Sequence, residues 1–280
     1  MERLDRFLVR TGALPSRETA RSEILAGRVL VNGQAVLKPG CKLKDTDEIT
    51  YTGDGRPFVS RGALKLQGAA EAFHLDFTGK ACIDIGASTG GFTHFMLEHG
   101  AKSVTAVDVG HGQLDPSLKE DHRVKDLDGV NFRALSPALT VELKDFDLLT
   151  MDISFISACH MVDSAAKVLK DGGEAMILIK PQFEAGPGAV NRQGVVKDLT
   201  KHVEVLDKVL SCYLDKGFHL QGLTHSPIQG PHGNIEYLCY LSFAKEGTPT
   251  SIVEAEGQGM DAAKTRAREA AKAAFRVFGK

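Results

Sequence analysis

No Cys-x-x-Cys pair occurs among the five cysteines, Cys41, Cys82, Cys159, Cys212 and Cys239, which are odd in number and widely spread. That argues against a zinc ribbon and a disulfide framework and favours a reducing cytosol, so a cytoplasmic location is expected. Long apolar runs are also missing. Ala175 to Ile179 is among the longest, far short of the ~20 residues that span a bilayer. The opening Met-Glu-Arg-Leu-Asp-Arg carries acidic charges and no apolar stretch, so it does not read as a signal peptide. Nor does one sign of charge dominate: 34 Lys and Arg face 36 Asp and Glu, a net charge of −2. No global field therefore draws the chain to nucleic acid, and any such binding needs a local patch. The ten histidines show no His-Glu-x-x-His or similar spacing, and no metal site is expected. What is present is 280 residues, 42% hydrophobic and 25% charged, enough for one large domain or a small module joined to a large one.

The first fifty residues have their own texture. Leu4, Phe7 and Leu8 recur at helical spacing, with Gly12 placed to end the helix. Ser16 is placed to cap a second helix that stops before Gly27. Val29–Val31 and Gln34–Val36 flank Asn32-Gly33, a two-residue hairpin signal, and Glu48–Tyr51 reads as a last strand. Every basic residue up to position 28 is arginine: Arg3, Arg6, Arg10, Arg17, Arg21 and Arg28. Such a set is either a solvated face paired with Glu2, Asp5, Glu18 and Glu23, or a phosphate-binding patch suited to guanidinium geometry. The order Arg3-Leu-Asp-Arg-Phe-Leu, Ser16-Arg-Glu-Thr-Ala-Arg, Gly27-Arg-Val-Leu-Val-Asn-Gly resembles the alpha-L RNA-binding motif of a ribosomal protein, pseudouridine synthases and tyrosyl-tRNA synthetases. The resemblance implies a small α+β RNA-binding domain over residues 1–51, with structured RNA as partner.

Residues 52–60 are rich in Gly and Pro and read as a linker. Beyond it Ser60 is placed to cap a helix running to about Phe73. Apolar β-type runs then alternate with helical stretches: Ala81–Ile85, Ser103–Val107, Asp147–Met151, Glu174–Ile179 and Tyr237–Phe243. That alternation predicts an α/β domain over 61–245 with a mostly parallel sheet covered on both faces. Residues 246–280 read as a tail whose basic helix, from Asp261, packs on the domain surface.

In such sheets ligands bind beyond the carboxyl ends of the strands, where Asp84, Asp108, Asp152 and Lys180 fall. The first turn, Asp84-Ile-Gly86-Ala-Ser88-Thr-Gly90-Gly91-Phe92, fails both the dinucleotide pattern and the phosphate-loop pattern. An acidic residue followed by glycines suits a ligand with an amino-acid end and a nucleoside but no pyrophosphate, and Asp108 could accept from both ribose hydroxyls. S-adenosylmethionine fits. The stretch is similar to motif I of the class I methyltransferases, which have a Rossmann-like, mostly parallel seven-stranded sheet. That resemblance implies cofactor contacts from Asp84, Gly86, Ser88, Gly90, Gly91, Asp108 and Asp128.

The later strands carry Thr150-Met-Asp152-Ile-Ser-Phe and Ile177-Leu-Ile-Lys180-Pro-Gln-Phe-Glu, with no Asn-Pro-Pro-Tyr motif and no Pro-Cys nucleophile. A lysine directly after an apolar strand is costly to bury unless paired, and Asp152 is a candidate partner. The pattern resembles the FtsJ-like ribose 2′-O-methyltransferases, and their catalytic tetrad falls here on Lys65, Asp152, Lys180 and Glu236. With the N-terminal motif, the chain resembles the TlyA family, often called hemolysins but including 2′-O-methyltransferases of ribosomal RNA. The resemblance implies methyl transfer from S-adenosylmethionine to a ribose of ribosomal RNA or ribosomal subunits, with no membrane partner. Lys180 would lie nearest the target hydroxyl, as base or as orienting group. The loop 184–194 is expected to close over the target nucleotide, with Arg192 on a phosphate. A membrane-lytic protein and a non-catalytic ribosome assembly factor are the alternatives.

Overall fold

The computed structural model describes residues 2–14, 16–44, 46–52, 58–245 and 260–279. The chain divides into two compact units, Met1–Leu64 and Lys65–Lys280. Most of the expected linker, residues 53–57, and the first part of the expected tail, residues 246–259, lie outside the described residues.

In the first unit the helices Leu4–Arg10 and Arg17–Leu25 form where the apolar spacing placed them. Ser16 caps the second by accepting from Thr19 N at 3.1 Å. Val29–Val31 pairs with both Gln34–Ala35 and Ile49–Tyr51. The turn between the first two puts Asn32 and Gly33 at φ of 53° and 77°, the positive values that a two-residue hairpin needs. A short pairing of Glu2–Arg3 with Lys42–Leu43 was not legible in the sequence. Leu4, Leu8, Leu14, Ala20, Ile24, Val29 and Leu43 make the core of this unit.

The second unit is built on a seven-stranded sheet: β1 (Ala81–Ile85), β2 (Ser103–Val107), β3 (Val124–Leu127), β4 (Phe146–Met151), β5 (Leu169–Ile179), β6 (Phe218–His225) and β7 (Tyr237–Phe243). The spatial order is β6-β7-β5-β4-β1-β2-β3. Pairs β1–β2, β1–β4, β2–β3 and β4–β5 are parallel, while β7 runs antiparallel to both β5 and β6. The central strands are buried on both faces (β4 from Leu148 to Met151, β5 from Ala175 to Ile179), which is why they read as continuous apolar runs. Strands β3 and β6 escaped the sequence reading because Val-Lys-Asp-Leu and Phe-His-Leu-Gln-Gly-Leu-Thr-His are edge strands, rich in polar residues and only partly buried.

Two sequence expectations change, those for Ser60 and for the cysteines. The helix Ala63–Phe73 begins later than the Ser60 cap implied, and Ser60 Oγ instead accepts from Gly62 N in the turn before it. The helix Met260–Phe278 is part of the second unit, with Ala263, Ala267, Ala270, Ala271 and Ala274 buried in its core. Cys159 and Cys212 are joined, with Cα atoms 5.6 Å apart across 53 residues of sequence. Wide sequence spacing hid the pair, because the turn Ala158–Met161 and the helix Leu199–Leu214 meet only through the tertiary fold.

Candidate active site

Parallel strands deliver their carboxyl ends to one edge of the sheet. Register sets the heights: Ile85 faces Val107 and Met151, so Gly86, Asp108 and Asp152 follow at the same edge. Lys180 follows Ile179, which is opposite Tyr237 on the antiparallel strand β7. Glu236, just before Tyr237, therefore enters the edge at its amino end. Lys65 joins them from the helix Ala63–Phe73.

These four make an alternating chain of charge. Glu236 Oε2 lies 2.8 Å from Lys65 Nζ, Lys65 Nζ 3.1 Å from Asp152 Oδ2, and Asp152 Oδ1 2.5 Å from Lys180 Nζ. Lys65 and Lys180 are 7% exposed and Glu236 is 1%, an arrangement that stability alone does not reward. Burial pushes the Lys65 ammonium toward losing its proton, but Asp152 and Glu236 outweigh this and raise its pKa. Burial likewise opposes ionisation of Asp152, and Lys65 with Lys180 holds it below the usual carboxylate range. Lys180 also donates to Ser154 Oγ at 2.9 Å. Gln182 Nε2 donates to Glu236 Oε1 at 3.2 Å. At Gly230 a methyl group would fall 2.2 Å from Glu236 Oε1, so glycine there makes room for the carboxylate.

Beside the quartet lies a cavity of about 530 Å³, within the range of small-molecule ligand sites. Gly86, Ser88, Asp108 and Asp152 line it, with Ile85, Val107, Val130, Phe132, Ile153 and Met161 supplying apolar walls. Gly86 has φ +78°, and a Cβ there would sit 2.8 Å from the Asp152 carbonyl oxygen. Glycine is what lets the β1 turn approach the end of β4. Asp108 joins two turns, accepting from Ser88 N and Gly110 N at 2.8 Å each. Each carboxylate oxygen keeps a further lone pair for a ligand hydroxyl.

The remaining expected cofactor residues stand elsewhere. Asp84 precedes the last residue of β1, so its side chain turns into the core. It is 1% exposed and accepts from Thr93 Oγ1 at 2.7 Å and Thr150 Oγ1 at 2.9 Å. Burial raises its pKa to about 6. Gly90, at φ +92°, makes room for Leu114 and Leu118, and Gly91 starts the helix Gly91–Glu98. Asp128 accepts from Gly112 N at 2.9 Å. None of these four lines the cavity.

Sequence reasoning missed Phe155 and Glu184. Phe155 is 89% exposed on the cavity rim, at φ +67°, with its ring 4.9 Å from Phe183. A bulky residue in the left-handed region is strained, and such strain gathers at functional sites. Glu184 is buried and ties the turn after β5 to the turn after β4, accepting from Ser157 Oγ at 2.6 Å and Ala158 N at 2.7 Å. In the loop 184–194, Asn191 closes a tight turn by accepting from Gln193 N and Val195 N, and leaves Arg192 exposed.

In the first unit four of the six arginines are paired internally. Arg3 and Arg17 share the buried carboxylate of Asp5, Arg10 pairs with Glu2, and Arg28 with Glu23. Hydrogen bonds from Arg3 bring the Asp5 pKa down to about 2, although burial opposes them. Arg6 and Arg21 are exposed and make no ion pair among the described residues. Also among the described residues, no helix is long and apolar enough to cross a membrane, and no cluster of three or more His, Cys, Asp or Glu could hold a metal ion.

Residues 58–243 match the FtsJ-like methyltransferase family, and residues 2–49 match the S4 domain. A 16S/23S rRNA (cytidine-2′-O)-methyltransferase of Mycobacterium tuberculosis is 41% identical over 241 residues, covering 85% of this chain and 89% of its own. A hemolysin A of Brachyspira hyodysenteriae is 40% identical over 239 residues, covering 85% of this chain and 99% of its own. A solved structure described as a hemolysin of Streptococcus thermophilus is 39% identical, with a TM-score of 0.69 over 99% of this chain and 97% of that one.

Proposed function

Since the chain belongs to the FtsJ-like methyltransferase family, we propose that it transfers a methyl group from S-adenosylmethionine to a ribose 2′-hydroxyl of ribosomal RNA. The observation that carries this reading is the buried quartet Lys65, Asp152, Lys180 and Glu236 beside a cavity lined by Gly86, Ser88 and Asp108. The relatives that methylate rRNA and the S4-domain match support RNA as the substrate.

The cavity fits the cofactor by its chemistry. Asp108 would offer lone pairs to the ribose hydroxyls, Val130, Asn131 and Phe132 would wall the base, and Gly86, lacking a side chain, would leave room for the methionine portion. When bound, the sulfonium supplies an activated methyl, so what the protein contributes is placement of the acceptor oxygen and of its proton. Lys180 performs the placement. Asp152 and Ser154 occupy two hydrogen-bonding positions of its Nζ, and a third is available to the ribose oxygen. Lys65 fixes Asp152 from the other side, and Glu236 fixes Lys65. The exposed ring of Phe155 offers a stacking platform to the target base once it leaves its helix. Asp84 acts through the fold, holding β1, β4 and Thr93 together, rather than on the cofactor.

Transfer of labelled methyl to ribosomal subunits, with wild type beside Lys180→Ala, tests this. Label in RNA from the wild type alone supports it. Full transfer by Lys180→Ala, or label only in protein, overturns it.

A further inference from the structure

The helix Met260–Phe278 buries Ala263, Ala267, Ala270, Ala271 and Ala274 against the helix Leu199–Leu214 and the edge strand β6, with Phe275 and Phe278 partly buried beside them. The small side chains fix how it sits, and so fix its outer face. That face carries Lys264, Arg268, Lys272 and Arg276, each four residues after the last and all exposed. Residues spaced by four line up along one helix ridge, here ~6 Å apart and ~18 Å from first to last. Like charges at this spacing oppose the helix, yet among the described residues none of the four forms an ion pair. Asp207 on the neighbouring helix feels Lys264 and Arg268 without pairing with either. Arg266 is used differently, since it donates to the carbonyl oxygens of Leu220 and Gln221 and so covers the edge strand.

The ridge has a direction. Met260 contacts Ser211 near the end of the neighbouring helix, whereas Phe275 lies 4.9 Å from His202 and Phe278 5.5 Å from His225. His202 bonds the Tyr237 hydroxyl, and His225 faces Tyr237 across the sheet. Tyr237 follows Glu236, so the Arg276 end of the ridge lies at the edge that carries the quartet.

We propose that Lys264, Arg268, Lys272 and Arg276 form a second RNA-docking surface, which grips the phosphate backbone of the substrate beyond the nucleotide held at Lys180. This rests on the reading that the substrate is RNA. A row of cations with no aromatic or amide side chain between them holds backbone and reads no bases. Its contribution is therefore independent of sequence and strongly dependent on salt.

The test replaces all four residues in the full chain (Lys264→Gln, Arg268→Gln, Lys272→Gln, Arg276→Gln), removing the charge while keeping a polar side chain and helix propensity. Affinity for a ribosomal RNA fragment is measured across a salt series, with anionic phospholipid vesicles as a parallel probe. The expected result is a salt slope smaller by about 3, RNA affinity reduced at least tenfold at ~0.1 M salt, a raised KM for RNA and an unchanged kcat. Cofactor affinity stays as in wild type. An unchanged salt slope overturns the proposal, as does ridge-dependent binding to vesicles with none to RNA. If the fourfold variant does not fold, the pairs Lys264→Gln/Arg268→Gln and Lys272→Gln/Arg276→Gln are each expected to give about half of that decrease, and no loss from either overturns it. The two readings separate cleanly. Loss of slope with no methyl transfer by wild type sinks the enzyme assignment and leaves the ridge; transfer with an intact slope does the reverse.

Discussion

Lys180 and Glu236 reach the same edge of the sheet on strands that run in opposite directions, in the register Ile179 to Tyr237. Lys65 and Asp152 close the gap between them, so the two distant residues are joined by three ion-pair contacts of 2.5 to 3.1 Å. Removing a charge from such a chain strands its partner. Glu236→Gln is expected to lower the unfolding free energy by about 3 kcal/mol and to reduce methyl transfer at least tenfold, with cofactor affinity largely kept. Denaturant unfolding and single-turnover transfer check this, and wild-type values for both would refute the linkage.

Phe155 should separate catalysis from stability. Its ring is 89% exposed and its backbone sits at φ +67°, so Phe155→Gly loses little packing and relieves strain of about 1 kcal/mol. The expected outcome is an equal or higher melting temperature together with a loss of transfer of tenfold or more. Unimpaired transfer would remove the stacking role.

Gly86→Ala is expected to abolish cofactor binding. The added methyl meets the Asp152 carbonyl at 2.8 Å, and φ of +78° strains any L side chain. Calorimetric titration with the cofactor and with its demethylated product would show the loss; binding within twofold of wild type would count against the position of this turn.

Asp84 and His202 set opposite pH dependences of stability. Burial raises Asp84 from 3.8 to about 6, so the fold prefers its protonated form. That contribution is complete below pH 4 and is lost as pH rises through about 6, a change of about 3 kcal/mol. Asp84→Asn should flatten this part of the curve and raise stability at pH 8. Burial lowers the pKa of His202 below 6.5, so its contribution is present above pH 6.5 and falls away in acid. Unfolding followed from pH 4 to 8 would expose both, and a curve for Asp84→Asn that parallels wild type would contradict the first.

Cys212→Ser is expected to reduce stability by about 2–4 kcal/mol without reductant and to make no difference with it, because the bond to Cys159 closes a 53-residue separation. Thiol labelling of unfolded, non-reduced protein gives a direct count: all five cysteines reacting would show that the bond is absent.

Much of the site was legible because its residues close apolar strands. Asp108, Asp152 and Lys180 each follow a buried run, and a charge there signals an edge where polar groups meet a ligand. Asp84 was legible as a strand-end acid but not in its orientation, since one residue of register turns a side chain to the other face. The arginines of the first unit looked alike in sequence. Only folding sorted them into four that pair with Glu2, Asp5 and Glu23 and two, Arg6 and Arg21, that make no ion pair among the described residues. Phe155 carried no sequence signal, because its exposure and strain belong to backbone geometry.

Apart from Lys65 and Glu236, which only the resemblance to the FtsJ-like family singled out, the sequence by itself determined the two-part organisation, the five central strands of the sheet, the asparagine-glycine hairpin and the charged strand ends Asp108, Asp152 and Lys180. These depend on apolar periodicity, turn chemistry and local residue type, all of which are written in short stretches. The tertiary structure alone decided which strands lie at the edges, how Glu236 comes to face Lys65, why Cys159 meets Cys212, and that the last helix lays a basic ridge toward the edge carrying the quartet. Each of these joins residues dozens or hundreds of positions apart, and such contacts arise from packing and strand register rather than from local sequence.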